Sequence, residues 1–202
     1  MEITKNQIKI INLFRKNVFL ETNIRSLMFM LKSNSYQRIY EATQDLIQKN
    51  ILTTKKIGKT NIVKLKFSRE SIINLSYLDE ITSTHLPNYD EIIKIKEITN
   101  YIILVTGSYA NNTQTKKSDM DLVIIVPDDK EIVSIQRFVE TKTMLLIPKI
   151  HLFVLRKKDF LDMLTEKNVN YAKEIVNNKS LLKNAQAFYE LLEEGIENGY
   201  KG

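Results

Sequence analysis

The sequence predicts a two-domain α/β (α+β) chain, and three observations carry that expectation. The first third reads as three helices followed by a hairpin whose second arm alternates apolar and basic residues, Asn61-Ile62-Val63-Lys64-Leu65-Lys66-Phe67. Further on, three short β-branched runs, Tyr101–Val105, Leu122–Val126 and Ile150–Leu155, are separated by stretches of helical or turn character. Charge, finally, is split: residues 1–70 hold 14 Lys and Arg against 5 Asp and Glu, whereas residues 71–202 hold 16 against 19. The expected boundaries are residues 1–70 for the first domain, 71–88 for a helical linker and 89–202 for the second.

Composition narrows the class. A chain of 202 residues with 43% hydrophobic and 27% charged content has enough apolar material for one large or two small folded cores. No apolar run approaches the ~20 residues that cross a bilayer. Glu2, Lys5 and Lys9 interrupt the apolar residues of the amino terminus, which therefore reads as a helix and not as a signal peptide. The absence of cysteine excludes disulfides, thiolate zinc sites and cysteine nucleophiles. A cytoplasmic location is the expectation that follows. All the surplus positive charge of the +6 chain lies in the first third, the pattern of a polyanion-binding module joined to a near-neutral one.

In the first domain Ile3, Ile8, Ile10, Ile11, Leu13 and Phe14 follow helical spacing to about Asn17. Thr22 or Asn23 can cap a second helix through Ile24, Leu27, Met28 and Leu31. Ser35 is placed to cap a third, carrying Tyr36, Ile39, Tyr40, Ala42, Leu46 and Ile47 to Asn50. Gly58 breaks the following run into a hairpin. Phe14, Phe19 and Phe29 are expected in the core.

Ser68-Arg69-Glu70 opens a short helical stretch, and Thr82–Asn88, polar and containing Pro87, is the expected linker, with His85 solvated in it. Tyr89–Thr99 reads as one helix with Ile92, Ile93 and Ile95 inward. Asp128 or Asp129 is the expected cap of a helix from Lys130 to about Met144, and Asp159 the cap of another. Asn168-Val169-Asn170 interrupts the helical pattern before Tyr171, Ile175 and Val176. Ser180–Leu182 reads as a brief extended segment, and Ala185–Tyr200 as an amphipathic helix.

The chemistry concentrates between the first two strands of the second domain. There the chain makes a Gly107-Ser108 corner, a polar segment without proline, and the pair Asp119 and Asp121. Strand side chains alternate, so two carboxylates one residue apart share a face and are close enough to hold one cation. Gly107 permits close backbone approach, and Ser108 adds a hydroxyl and an N–H where a helix can begin, which suits phosphate. Ser118 supports the start of the strand, and Lys116 and Lys117 stand just before the aspartates, where they can neutralise charge or simply be solvated.

Gly107-Ser108 followed by Asp119-x-Asp121 within apolar strands resembles the polymerase-β-like nucleotidyltransferase superfamily, particularly its minimal members, over roughly residues 90 to 160. The resemblance implies a mixed sheet with flanking helices. It also implies metal-dependent transfer of a nucleoside monophosphate from a nucleoside triphosphate to an acceptor hydroxyl, with Mg²⁺ or Mn²⁺ held by Asp119 and Asp121. Gly107, Ser108, Ser118 and Lys117 are then the expected nucleotide-binding residues. Fully equipped members carry a third carboxylate on the third strand, where this chain has His151. Three readings of His151 stay open: a ligand suited to softer ions, a general base near neutral pH, or a hydrogen-bonded strand histidine. Glu140 is a distant substitute for the missing acid.

Three helices and a basic hairpin resemble a winged helix-turn-helix. That resemblance implies double-stranded DNA as a partner. Ser35, Tyr36, Gln37 and Arg38, with Tyr40 and Glu41 behind them, would face the bases, and Lys55, Lys56, Lys59 and Lys64 the phosphates. A packing or dimerisation module is the other reading of this fold. Beside the transferase stand two further classes: a regulator that senses a nucleotide without turnover, and an antitoxin-like partner of a toxin; a homodimer is also open.

Overall fold

The structure is a computed structural model that describes residues 3–202. Met1 and Glu2, the latter expected in the first helix, lie outside the described residues. The chain divides into two compact units, Met1–Leu75 and Ser76–Gly202.

In the first unit α1 (Lys5–Lys16) opens on a capping box: the Thr4 hydroxyl accepts from the Gln7 N–H, and the Gln7 side chain accepts from the Thr4 N–H. Asn23, one of the two caps expected from sequence, accepts the Ser26 N–H and starts α2 (Ile24–Met30). Ser35 caps α3 (Tyr36–Gln48), whose Ile39, Ala42, Thr43 and Leu46 face the core. β1 (Leu52–Ile57) and β2 (Thr60–Leu65) pair antiparallel, with Gly58 at positive φ in the two-residue turn. Thr22 and Val63 exchange backbone hydrogen bonds, tying the hairpin to the chain ahead of α2.

Phe29 departs from expectation: it is 67% exposed. α2 is a seven-residue helix with Leu27 buried, and Phe29 lies about 200° around the helix from it. Phe14, by contrast, is fully buried.

α4 (Arg69–Ser83) runs across the division and takes in Thr82 and Ser83, the first residues of the expected linker stretch Thr82–Asn88. The expected helix at Tyr89–Thr99 is broken. α5 (Tyr89–Ile93) ends at Lys94, Ile95 turns extended to bury its side chain, and a 3-10 turn covers Lys96–Ile98.

The rest of the second unit is a mixed four-stranded sheet. β3 (Ile102–Thr106) leads into the one-turn α6 (Gly107–Asn111). β4 (Met120–Val126) returns antiparallel to β3, and α7 (Ile132–Thr143) crosses to β5 (Ile150–Arg156), parallel to β4. After α8 (Lys157–Thr165) and α9 (Tyr171–Asn177), β6 (Ser180–Lys183) joins the free side of β3, giving the order β5-β4-β3-β6, and α10 (Ala185–Glu197) follows.

Alternation divides the sheet into two faces. Ile103, Val105, Met120, Leu122, Ile124, Leu152 and Val154 pack with Ile92, Ile98 and Val139 from α5, the 3-10 turn and α7. The alternate residues look to the other side, where α8 and α10 pack on the strands and α9 packs on α8. Among the described residues no helix is long and apolar enough to cross a membrane.

Two caps differ from expectation. Glu131, not Asp128 or Asp129, caps α7, accepting from Val133 and Ser134 N–H at 3.1 and 2.7 Å. Asp128 instead accepts the Lys158 N–H at 2.9 Å, so the start of α8 is served from 30 residues upstream while Asp159 sits inside the first turn.

Candidate active site

Asp121 is the second residue of β4 and stands between buried Met120 and Leu122, which fixes its side chain on the α8–α10 side of the sheet. Its register partners are Thr106 at the end of β3 and His151 at the start of β5. Three strands therefore deliver Thr106, Asp121 and His151 to one sheet edge.

The His151 Nδ1 lies 3.1 Å from Asp121 Oδ1. A carboxylate only accepts, so Nδ1 carries the hydrogen and Nε2 is left as the unengaged ring nitrogen. The side chains are 61% and 32% exposed, so the pair is open to solvent and contributes about 1 kcal/mol or less to stability. Behind His151 runs a ladder of rings. Phe153 lies 4.4 Å from the imidazole and Tyr171 lies 4.8 Å from Phe153, centroid to centroid.

The Gly107 corner faces the same carboxylate. Gly107 has φ +69°, and a Cβ built on it would overlap Asp121 Oδ2. Glycine is required there twice over, for the left-handed backbone and for the carboxylate lying against its Cα. The Thr106 hydroxyl donates to the Asn178 carbonyl at 2.6 Å, and the Asn178 amide donates to the Gly107 carbonyl at 3.2 Å. With its hydroxyl turned to Asn178, Thr106 makes no side-chain cap to α6.

The remaining expected residues lie on the loop ahead of β4. Asp119 is exposed, two positions before Asp121 across Met120. Ser118 shapes the loop: its hydroxyl accepts the Thr115 N–H at 2.9 Å, and its carbonyl accepts from the Tyr109 hydroxyl at 3.3 Å. Lys116 and Lys117 are exposed to solvent. Glu140 is bonded to Gln136 on α7 and takes no part in the Asp121 cluster. Among the described residues no three His, Asp or Glu side chains are gathered so as to hold a metal ion. What the structure assembles around Asp121 is His151 and the Gly107 turn.

Tyr171, Phe153 and Asn178 were not anticipated from sequence. The Tyr171 hydroxyl is buried and has no hydrogen-bond partner among the described residues. Burial chiefly, and then the negative charges of Asp121 and Glu174, push its phenol well above the ordinary value of 10.

In the first unit, Ser35 is engaged as a helix cap, and Tyr36, Gln37 and Arg38 are exposed on α3. Gln37 donates to Glu41 at 2.8 Å, which occupies one of the expected base-reading groups. Lys55, Lys56 and Lys59 are exposed on the hairpin.

Neither the curated proteins nor the solved structures compared with this chain gave a match. Residues 89–187, which hold the Gly107 corner, both aspartates and His151, match the family model of the nucleotidyltransferase domain.

Proposed function

We propose that residues 89–187 transfer a nucleoside monophosphate from a nucleoside triphosphate to an acceptor hydroxyl. The carrying observation is the Asp121 carboxylate lodged against the Gly107 turn and hydrogen-bonded to His151, within the stretch that matches the nucleotidyltransferase-domain model. In the reaction the acceptor oxygen bonds to the α-phosphorus and the bond to the β-phosphate oxygen breaks, releasing pyrophosphate.

The donor chemistry fits a divalent cation: Asp119 and Asp121 offer the hard carboxylate oxygens that Mg²⁺ or Mn²⁺ prefers. Such an ion would neutralise phosphate charge and polarise the phosphorus centre. The protein's own groups have separate tasks. The Gly107-Ser108 backbone donors and the Ser108 hydroxyl bind phosphate oxygens. Asp121 holds the His151 ring through Nδ1, which leaves Nε2 to take the proton of the acceptor hydroxyl. Phe153 and Tyr171 limit the rotation of that ring from behind. Lys117 screens the approaching triphosphate.

A second reading is nucleotide sensing without turnover. It draws support from His151 standing where a third carboxylate is expected. Incubation with labelled nucleoside triphosphates and Mg²⁺ or Mn²⁺ separates the two readings. Label transfer that Asp121→Asn abolishes supports the enzyme; binding without transfer supports the sensor.

For the first unit we propose a winged helix-turn-helix that binds nucleic acid. Its three helices, exposed hairpin lysines and surplus of basic residues support this. Duplex DNA would meet Ser35, Tyr36, Gln37 and Arg38 at its bases and Lys55, Lys56 and Lys59 at its phosphates.

A further inference from the structure

The side of α3 that looks toward the hairpin borders an open groove of about 710 Å³ within the first unit. Tyr36, Tyr40 and Gln44 recur every four residues along that side, so they form one stripe, distinct from the core stripe of Ile39, Ala42 and Leu46. The two tyrosines are 48% and 40% exposed, and their rings lie nearly parallel, 23° apart with centroids separated by 6.2 Å. Arg25 from α2 and Lys59 and Asn61 from the hairpin line the groove, and among the described residues no carboxylate does.

The outer side of α3 is different. It carries Arg38, but also Glu41 and Asp45, and Gln37 there is tied to Glu41. Phosphates approaching that side meet the exposed carboxylate of Glu41, with Asp45 already paired to Lys49 at 2.7 Å; among the described residues, the charged side chains lining the groove are cations. Flat rings presented to solvent offer their faces to other flat rings. A duplex hides its base faces in its own stack, whereas an unpaired strand offers them freely.

We propose that this groove binds an unpaired stretch of nucleic acid, with bases stacked on Tyr36 and Tyr40 and phosphates held by Arg25 and Lys59. Stacking, which every base can provide, carries the contact, so composition of the strand is felt only weakly. This rests on the reading of the first unit as a nucleic-acid-binding module, and it replaces duplex by single strand as the preferred ligand. It does not depend on transfer activity in the second unit.

The test uses the full chain and fluorescently labelled 20-mers: single-stranded DNA, single-stranded RNA and the matching DNA duplex, titrated by anisotropy at several salt concentrations. The expected result is single-strand binding at least about tenfold tighter than duplex binding, weakening with salt. Comparison of the DNA and RNA arms shows which strand the groove favours. Tyr36→Ala and Tyr40→Ala should each weaken single-strand binding about five- to hundredfold, while Tyr36→Phe and Tyr40→Phe, which keep the ring, stay within about twofold of the parent. Both tyrosines are exposed, so the melting temperature of the alanine variants should match the parent and exclude unfolding as the cause. Duplex binding equal to or tighter than single-strand binding overturns the inference and leaves the duplex reading standing. Alanine variants that bind like the parent overturn it as well. No binding to any of the three probes removes both.

Discussion

His151 donates through Nδ1 to the Asp121 carboxylate across 3.1 Å, and the parallel register of β4 with β5 places the two side by side. Because the pair is exposed, its removal should alter chemistry far more than stability. His151→Ala is expected to lower the rate of label transfer by about 10²- to 10⁴-fold, the usual worth of a positioned base. Its melting temperature should stay within about 2 °C of the parent. Transfer unaffected by the substitution would reduce His151 to a strand histidine.

Gly107 is a more demanding position. Alanine there must hold a left-handed backbone and push against the Asp121 carboxylate. Gly107→Ala is expected to cost about 1–3 kcal/mol of stability and to abolish transfer together, because the side chain it displaces is the one the site is built on. Denaturant unfolding followed by circular dichroism reads the first effect and label transfer the second. A variant of parental stability with full activity would show that the turn and the carboxylate can move apart freely.

Much of this site was legible in the chain itself. Val105 and Leu122 belong to runs buried on both faces, and such runs announce strands whatever their surroundings. A charged residue placed inside one, as Asp121 is, is conspicuous for the same reason. Tyr171 and Asn178 gave no such signal. Asn178 meets Gly107 from 71 residues away, through the packing of α9 and the pairing of β6 with β3, and nothing in its neighbours foretells that. The cap of α7 failed to declare itself for a local reason: Asp128, Asp129 and Glu131 crowd four positions, and only the fold reveals that Asp128 is committed to α8. Phe29 misled because an aromatic residue at helical spacing is ordinarily buried, and α2 is too short to bury a second face.

Within the second unit, the Tyr189 hydroxyl donates to the Asp79 carboxylate, and Asp79 is 1% exposed. Removing the donor leaves a buried carboxylate with less compensation for its lost water. Tyr189→Phe is therefore expected to destabilise the protein by about 1–3 kcal/mol, seen as a lower urea midpoint with the slope unchanged. An unchanged midpoint would mean that water or other groups satisfy Asp79 equally well.

Tyr171 should behave in the opposite way. Its hydroxyl is buried with no hydrogen-bond partner among the described residues, so Tyr171→Phe removes a desolvated polar group at little loss of packing and should raise stability by up to about 1 kcal/mol at neutral pH. The pH dependence has a definite sign. Burial and the Asp121 charge raise the phenol's pKa in the folded state above its ordinary value of 10, so the folded chain holds that proton more tightly than the unfolded chain does. The corresponding stability is fully present below pH 10 and is lost as pH rises through the window above it. The phenylalanine variant lacks this titration, so its stability should fall less steeply than the parent's between about pH 9.5 and 11. If the hydroxyl also contacts bound nucleotide, the same variant gains stability yet loses affinity for the triphosphate, measured by calorimetric titration. Parallel alkaline curves for parent and variant would show that Tyr171 ionises as freely in the folded chain as in the unfolded one.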